Sequence, residues 1–364
     1  MKRFHAVSLL ALLFAAQANS LFASDTILVF HPTAENIKTI LYLHSNLFEK
    51  KSAEDFIYLG VYHENEMYDY SESVEYLAQH SQAASLFKLR KITGRTELKD
   101  VFSKNAWTNR FTSLFEASVG AIFLGGPDMP PAIYGSKQSL LTDVTDPYRH
   151  YMEISALFHL LGSSKNEAFK PYLQNHPSYS VLGICLGMQS MNVATGGSLI
   201  QDLPTTLYGL STREDILNDP QHSHRNYYFD DPEDSIELTG YHFHPVAIED
   251  FNSLVGEAAG KSTVMVLSSH HQCVEKPGKG LVPVAWSTDH KIVEAVKHES
   301  YPNVVGVQFH PEKTELFLGD TLLFVSPDST LNFNQFIIEN DAESFHRDFW
   351  RMLGKMFGGK NFSE

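Results

Sequence analysis

One cysteine of this chain lies in a sequence pattern that suits a nucleophile. Cys185 follows an apolar run at residues 181–184 and has Gly183 and Gly187 two positions away on either side. A nucleophile elbow strains the backbone of its central residue, and these neighbours must lack side chains so that strand and helix can approach closely. The helix expected after the turn would favour a thiolate. The pattern therefore indicates acyl-transfer chemistry at a thiol.

A histidine much later in the chain could serve as the base. His310 ends an apolar run at residues 304–309, and Glu312 follows where its carboxylate could orient the imidazole ring. A thiol needs such a base for its activation, and a leaving amine needs the proton returned by the same ring. Each motif alone has a simpler interpretation, as a small buried cysteine in a strand-to-helix turn or as a surface His–Glu pair. Only the fold could bring the two motifs together.

The elements around these motifs alternate between short apolar runs and helical patterns. The apolar runs are at 26–30, 56–61, 121–124 and 180–184, and the helical patterns at 34–50, 71–84 and 152–161. Continuous apolar strands separated by helices predict an α/β fold with a parallel sheet covered on both faces. From about residue 263 the strand-like runs follow one another at short spacing, at 263–267, 281–286, 291–296 and 304–309. This change predicts a hairpin-rich C-terminal section.

Two other segments have a clear character. Residues 204–240 are polar and rich in turn formers, which predicts a surface loop or flap. Near the end of the chain Phe345, Phe349, Leu353 and Phe357 lie four residues apart. This spacing forms one apolar stripe on a helix, which we expect to dock on the sheet, with a membrane or a partner surface as the alternative.

Composition excludes several classes of protein. The chain has 364 residues, 43% of them hydrophobic, which is too apolar for disorder. Its formal net charge of −15 disfavours a nucleic-acid partner, because the charge would repel phosphate backbones. The two cysteines, Cys185 and Cys273, are too few for a disulfide scaffold or a four-thiolate zinc site. We expect Cys273 to be a free, partly buried thiol, although a regulatory disulfide with Cys185 is an alternative.

The first 24 residues have the pattern of a secretory signal peptide. Lys2 and Arg3 precede an apolar run at residues 6–16, and small residues follow it. The run is shorter than the roughly 20 residues of a membrane-spanning helix, although an uncleaved N-terminal helix is the alternative. We therefore predict an exported protein, periplasmic or secreted, with one domain over residues 25–364 and no stable membrane insertion after cleavage.

Several histidines suggest a metal site at first sight. They form three close pairs: His222 and His224, His242 and His244, and His270 and His271. Imidazole is a good zinc ligand, but no ordered set of acidic ligands accompanies these histidines in the sequence. The sequence therefore predicts neither a metal nor an organic cofactor.

The two chemical motifs together resemble those of the class I glutamine amidotransferase superfamily. The resemblance rests on residues 183–189, Gly-Ile-Cys-Leu-Gly-Met-Gln, and on residues 305–312, which end in His-Pro-Glu. Four further stretches are similar to the γ-glutamyl hydrolase branch: residues 125–135, 192–202, 244–246 and 268–272. The similarity covers about residues 120–312. It implies a flavodoxin-like parallel sheet with helices on both faces and a hairpin-rich extension.

The resemblance also implies roles for the residues that match the family motifs. Cys185 would be the nucleophile, His310 the general base and acid, and Glu312 the carboxylate that orients the histidine. The backbone amides of Leu186 and Gly126 would form the oxyanion hole. The hydrolase branch often has arginine where this chain has Leu186, a difference that concerns the substrate more than the chemistry.

The substrate implied by the resemblance is a small γ-glutamyl compound. Gly125 would help to hold it. Gln189 and the corner formed by His271 and Gln272 would bind its α-amino and α-carboxylate groups. The reaction would be hydrolysis through a γ-glutamyl thioester. Two alternatives are the glutaminase domain of an amidotransferase and a catalytically silent binding protein of the same fold. The sequence leaves the leaving group and the oligomeric state open.

Overall fold

The computed structural model describes residues 26–48, 56–229, 238–256, 262–324 and 326–359. The predicted signal peptide at residues 1–24 lies outside the described residues. Within the described ranges, no helix combines the length and the apolar character needed to cross a membrane.

Parallel strands form one half of a ten-stranded sheet. In spatial order they are β3 (Phe87–Ile92), β2 (Ile57–His63), β1 (Thr26–Phe30), β4 (Gly120–Phe123), β5 (Ser180–Ile184) and β12 (Val304–Val307). Every residue of β1, β4, β5 and β12 is buried, as expected of strands covered on both faces. Without the edge strand β3, the order β2-β1-β4-β5-β12 is that of flavodoxin-like folds.

Antiparallel strands continue the sheet beyond β12. They are β11 (Val293–His298), β10 (Leu281–Ser287), β7 (His242–Ile248) and β8 (Thr263–Ser268). A separate two-stranded sheet pairs β6 (Ser198–Ile200) with β9 (Cys273–Lys276). The predicted fold class, a parallel sheet with a hairpin-rich C-terminal extension, is confirmed.

The described residues contain eleven α-helices. They are α1 (Ala34–Asn46), α2 (Ser71–Gln79), α3 (Ser81–Leu86), α4 (Thr108–Glu116), α5 (Pro147–Leu161), α6 (Leu186–Ala194), α7 (Leu203–Tyr208), α8 (Arg213–Leu217), α9 (Asn252–Val255), α10 (Phe333–Glu339) and α11 (Glu343–Phe357). Helices α1, α10 and α11 pack on one face of the sheet. Helices α4, α5 and α6 pack on the other face, so both faces are covered.

Local predictions were accurate where the apolar pattern was strong. The stripe on α11 is buried against the sheet, as predicted. The pattern at 71–84 is divided into α2 and α3, which meet at His80. Strand β3 was missed because it alternates apolar residues with exposed lysine and arginine at the edge of the sheet. The segment 204–240 is more ordered than a loop, since it contains α8 and most of α7, although residues 230–237 lie outside the described residues.

Neighbouring strand ends bring the motif residues to one edge of the sheet. Strands β4, β5 and β12 are adjacent and parallel, with Phe123 paired to Gly183 and Val307 paired to Ile184. Parallel strands end at the same edge, and ligands of open α/β sheets bind outside these carboxyl ends. The segments that follow the three strands therefore meet there, although they come from distant parts of the chain.

Candidate active site

Cys185 occupies a strained turn between β5 and α6. Its φ of 52° and ψ of −106° place a non-glycine residue at positive φ. A Cβ atom on Gly183 would lie 2.7 Å from the backbone of Gly187, and one on Gly187 would lie 2.0 Å from the carbonyl oxygen of Phe123. Both glycines are therefore required for the close approach of strand and helix, which is the geometry that the Gly-x-Cys-x-Gly spacing predicted.

His310 lies between the cysteine and a carboxylate. Its Nδ1 is 2.7 Å from Oε1 of Glu312, and the ring is within hydrogen-bonding reach of Cys185. All three side chains are buried. Gly125 leaves room for this ring, since a Cβ atom there would lie 2.8 Å from Cε1 of His310. The structure therefore brings together the thiol, the imidazole and the carboxylate that the sequence had placed in separate motifs.

The charges around His310 favour its protonated form. Burial alone would lower the pKa of His310, but the Glu312 carboxylate and Cys185 hold it well above its usual value. Burial likewise opposes ionisation of Glu312, yet His310 and Lys313 keep the pKa of this carboxyl below its usual value. A cationic imidazole oriented by a carboxylate is the setting in which a neighbouring thiol becomes a nucleophile.

Two backbone amides near the sulfur have no acceptor among the described residues. Within the described part of the chain, the N–H groups of Gly126 and Leu186 donate no hydrogen bond. Gly126 belongs to the turn after β4, and Leu186 is the first residue of α6. Free amides at a helix start and at a neighbouring turn are suitable donors for an oxyanion.

A buried arginine supports the turn after β4. Nη2 of Arg149 donates hydrogen bonds to the carbonyl oxygens of Leu124 and Gly125, at 3.1 and 2.9 Å. A Cβ atom on Gly126 would lie 2.0 Å from Nη1 of Arg149, so only glycine fits beside the guanidinium. Nε of Arg149 is 2.8 Å from Oε1 of Glu153, and both side chains are almost completely buried. Arg149 therefore fixes the position of the turn that carries the Gly126 amide.

A cavity of about 240 Å³ opens beside Cys185. The charged side chains that line it are those of Asp128, Asp143 and Arg225, together with His271. The cavity therefore offers groups of both charges close to the sulfur. A small zwitterionic ligand has the matching charge distribution.

Some predicted substrate-binding residues line the cavity but have other partners. Nδ1 of His271 is 3.1 Å from Oδ1 of Asp202, and Nε2 is 3.0 Å from Oδ1 of Asp128. Burial opposes its charge, but these two carboxylates raise the pKa of His271 to about 9. Because both ring nitrogens are engaged, His271 does not offer them to a substrate in this arrangement. In this arrangement His271 supports the cavity wall, and its direct contact with a substrate stays a prediction.

The two predicted glutamines also lie beside the sulfur. Nε2 of Gln189 donates to the carbonyl oxygen of Gln272 at 3.1 Å and to Oε1 of Gln308 at 3.2 Å. Gln308 in turn donates to Sγ of Cys185 at 3.6 Å. The side-chain amide of Gln272 is buried and has no hydrogen-bond partner among the described residues. Gln189 therefore ties α6 to the end of β12.

Sequence reasoning missed four charged residues of this region, namely Asp128, Asp143, Arg149 and Arg225. Asp128 lies inside a stretch that carried the family resemblance, and Arg225 lies in the polar segment interpreted as a flap. Arg149 was missed because the predicted helix began at residue 152, whereas α5 begins at Pro147 with Asp146 as its cap. An acidic cap followed by proline is a recognisable helix start and could have extended the prediction.

The histidine pairs separate into two environments. His271 belongs to the cavity wall, whereas His224, His244 and His270 come together with Glu294 in the interior. The sequence showed no ordered set of acidic ligands beside these histidines, because Glu294 is distant from them along the chain. Both cysteines are free, and Cys273 is fully rather than partly buried.

A family model and several relatives of known sequence indicate the same family for this chain. A family model described as peptidase C26 matches residues 108–312. YvdE of Lactococcus lactis, provisionally named a glutamine amidotransferase-like protein, is 31% identical over 193 residues, which are 53% of this chain and 65% of YvdE. A provisionally named glutamine amidotransferase of Mycobacterium tuberculosis is 32% identical over 203 residues, 56% of this chain and 52% of the relative. A provisionally named glutamine amidotransferase-like protein of Rickettsia prowazekii is 28% identical over 229 residues, 56% of this chain and 74% of the relative. The matched region thus spans less than two thirds of the first two relatives.

Proposed function

Because the chain belongs to the peptidase C26 family, with its class I glutamine amidotransferase-like domain, we propose that it is a cysteine hydrolase of γ-glutamyl amide bonds. The observation that carries this proposal is the contact of His310 with both Cys185 and Glu312 beside the cavity. A thiol on a strained elbow, a base in reach and free amides nearby are the parts that acyl transfer requires.

In the proposed reaction, the Cys185 thiolate attacks the γ-carbonyl carbon of the substrate. The negative charge that develops on the carbonyl oxygen is stabilised by the amides of Leu186 and Gly126. Protonated His310 gives its proton to the departing amine, which leaves a γ-glutamyl thioester on Cys185. His310 then takes a proton from water as the water attacks the thioester, and glutamate is released while the thiol is restored.

The charges in the cavity support a γ-glutamyl group as the acyl part. Its α-carboxylate is suited to the Arg225 guanidinium, and its α-ammonium group to the carboxylates of Asp128 and Asp143. An α-linked glutamyl amide would carry its charges at different distances from the scissile bond. The site should therefore discriminate between the two linkages.

A panel of amides tests the proposed function. We expect release of free amine from several γ-glutamyl amines, little release from α-glutamyl amides, and formation of a covalent adduct at Cys185 with a thiol-reactive glutamine analogue. Hydrolysis of glutamine alone would favour the amidotransferase alternative, to which Leu186 after the nucleophile also points. No hydrolysis and no adduct would indicate a binding protein and would overturn the proposal.

Replacing Glu312 by glutamine should lower kcat/KM about 10²-fold and move the alkaline limb of its pH profile to lower pH. Activity needs protonated His310, so it falls as the pH rises through the pKa of this ring. Burial lowers that pKa and the Glu312 carboxylate raises it, so a neutral glutamine shifts the pKa down. The measurement is kcat/KM between pH 5 and 10. An alkaline limb that does not move would contradict the role of Glu312.

Replacing Arg225 by alanine should raise KM by about 10–100-fold with little change in kcat. A hydrogen bond to a charged group contributes about 1.5–3 kcal/mol, and the loss of binding common to ground and transition states appears in KM. An analogue without the α-carboxylate provides the control, because the variant should be far less sensitive to its removal than the parent protein. Equal sensitivity of the two proteins would exclude Arg225 as the carboxylate ligand.

A further inference from the structure

Four buried side chains from separate segments converge next to the candidate active site. His224 comes from the segment after α8, His244 from β7, His270 from the turn after β8, and Glu294 from β11. Each offers one nitrogen or oxygen atom, and these four atoms all lie within 4.8 Å of one another. No step of the proposed hydrolysis uses this cluster.

Several of these atoms approach closely without forming hydrogen bonds. Nδ1 of His224 is 3.1 Å from Oε1 of Glu294, and Nε2 of His270 is 4.0 Å from the same oxygen. Yet both of these nitrogens and both Glu294 oxygens are buried without a hydrogen-bond partner among the described residues. Zinc bonds of about 2.0–2.1 Å place tetrahedral ligand atoms roughly 3.3 Å apart. The 3.1 Å contact already has this spacing, and the 4.0 Å contact would shorten when an ion binds.

The burial of the Glu294 carboxylate favours a cation beside it. Its side chain is fully buried, and a buried carboxylate without partners is strongly unfavourable unless a cation compensates it. Neutral imidazoles and a carboxylate are the protonation states in which these groups bind a metal.

Outer hydrogen bonds hold two of the histidine rings in place. Nδ1 of His270 is 2.9 Å from the carbonyl oxygen of Gln272, which leaves Nε2 free, and Nε2 of His244 is 2.8 Å from Oγ of Ser268. The amide of His270 also donates to the carbonyl oxygen of His224 at 2.9 Å. Metal-bound histidines usually have such second hydrogen bonds, which fix the orientation of the ring.

From this geometry we propose that His224, His244, His270 and Glu294 bind one divalent transition-metal ion, with Zn²⁺ the best match. Three imidazoles and one carboxylate form a closed four-ligand set suited to tetrahedral zinc. Because all four ligands are protein groups, the ion is structural and leaves no position for a substrate. This inference departs from the expectation of no metal, since the carboxylate is recognisable only in the fold.

The ion would connect the wall of the cavity to the sheet. His270 lies next to His271 and lines the cavity, and Glu294 lies on β11, whose backbone accepts from the amide of Gln308 at 2.8 Å. His224 links the same centre to the segment that carries Arg225. Binding of the metal would therefore fix the residues that hold the substrate relative to the strand that delivers His310.

Metal content measures this site independently of activity. The Cys185→Ala protein should be used, because it removes a thiol and His310 pair that could itself bind zinc. This protein is purified without added metal, incubated with Zn²⁺ and freed of excess ion. It should then retain about one zinc per chain, as measured by elemental mass spectrometry. Adding Glu294→Gln or His224→Ala should lower this content at least tenfold. His222→Ala provides the matched control and should keep it, since His222 pairs instead with Asp219 near the surface.

Thermal unfolding supplies a second measurement in case a variant does not fold. A strong chelator should lower the Tm of the Cys185→Ala protein, and Zn²⁺ should restore it, because a ligand that binds only the folded state stabilises it. Mn²⁺, Co²⁺ and Ni²⁺, tested in the same way, identify the preferred ion. Less than a tenth of an equivalent of every metal, or the same content in the Glu294→Gln and His222→Ala proteins, would overturn the proposal. Neither of these two results would contradict the proposal that the protein is a hydrolase.

Discussion

Replacing Cys185 by alanine should lower kcat/KM for γ-glutamyl amides by at least about 10⁴-fold. The proposed route forms a thioester on this sulfur, and alanine offers no atom that could accept the acyl group. Loss of a nucleophile removes most of the catalysis, and what remains comes from binding and the oxyanion donors. The measurement is steady-state release of amine, with the adduct at residue 185 followed by mass spectrometry.

The second cysteine provides a matched control. Cys273 is free and fully buried, and burial raises the pKa of its thiol, so it is a poor nucleophile. Its replacement by alanine should leave kcat/KM within a few-fold of the parent value. If the Cys185→Ala protein kept more than a tenth of the parent activity, covalent catalysis by this cysteine would have to be abandoned.

Replacing Arg149 by methionine should lower the free energy of unfolding by about 3–5 kcal/mol. The change leaves Glu153 as an unpaired carboxylate in the interior, because Arg149 is its ion-pair partner. It also removes the hydrogen bonds to the carbonyl oxygens of Leu124 and Gly125, so the Gly126 amide loses its support. We therefore expect a fall in kcat as well as in stability. Urea unfolding and steady-state kinetics measure the two effects.

The pH dependence of this loss identifies its cause. Burial raises the pKa of Glu153 to about 7, although Arg149 opposes the shift, so removing Arg149 raises this pKa further. A carboxyl whose pKa is raised in the folded state destabilises that state as the pH rises from its unfolded pKa through its folded pKa. The deficit of the Arg149→Met protein should therefore shrink between pH 8 and pH 5. The double variant Arg149→Met, Glu153→Leu should recover stability but not kcat, and a deficit independent of pH would refute this account.

The parts of the fold that follow from local patterns were predictable. Strand β1 is recognisable as a continuous apolar run, and helix α11 by apolar residues that recur at the helical period. The elbow at Cys185 was equally accessible, since Gly183 and Gly187 lie where a Cβ atom would block the approach of strand and helix. Strand β3 escaped prediction because its charged positions reflect a sheet edge, which the sequence around it does not reveal.

Contacts between distant segments were not predictable from the sequence. The two carboxylates that engage His271 come from Asp128 and Asp202, and no local spacing relates the three residues. Glu294 on β11 meets His224, His244 and His270 for the same reason, because these residues come from separate segments that are adjacent only in the fold. A single sequence shows which groups can do chemistry. It does not show which of them already have a partner.

The position of β12 in the sheet has a consequence for the nascent chain. Among the described strands β12 comes last in the sequence, and it lies between β5 and β11, so His310 follows most of the chain in the order of synthesis. A nascent chain still on the ribosome can expose the elbow before the residues that activate it have been synthesised. We therefore expect polypeptides that end before His310 to lack the proposed hydrolase activity, so that activity appears only when translation and folding are finished.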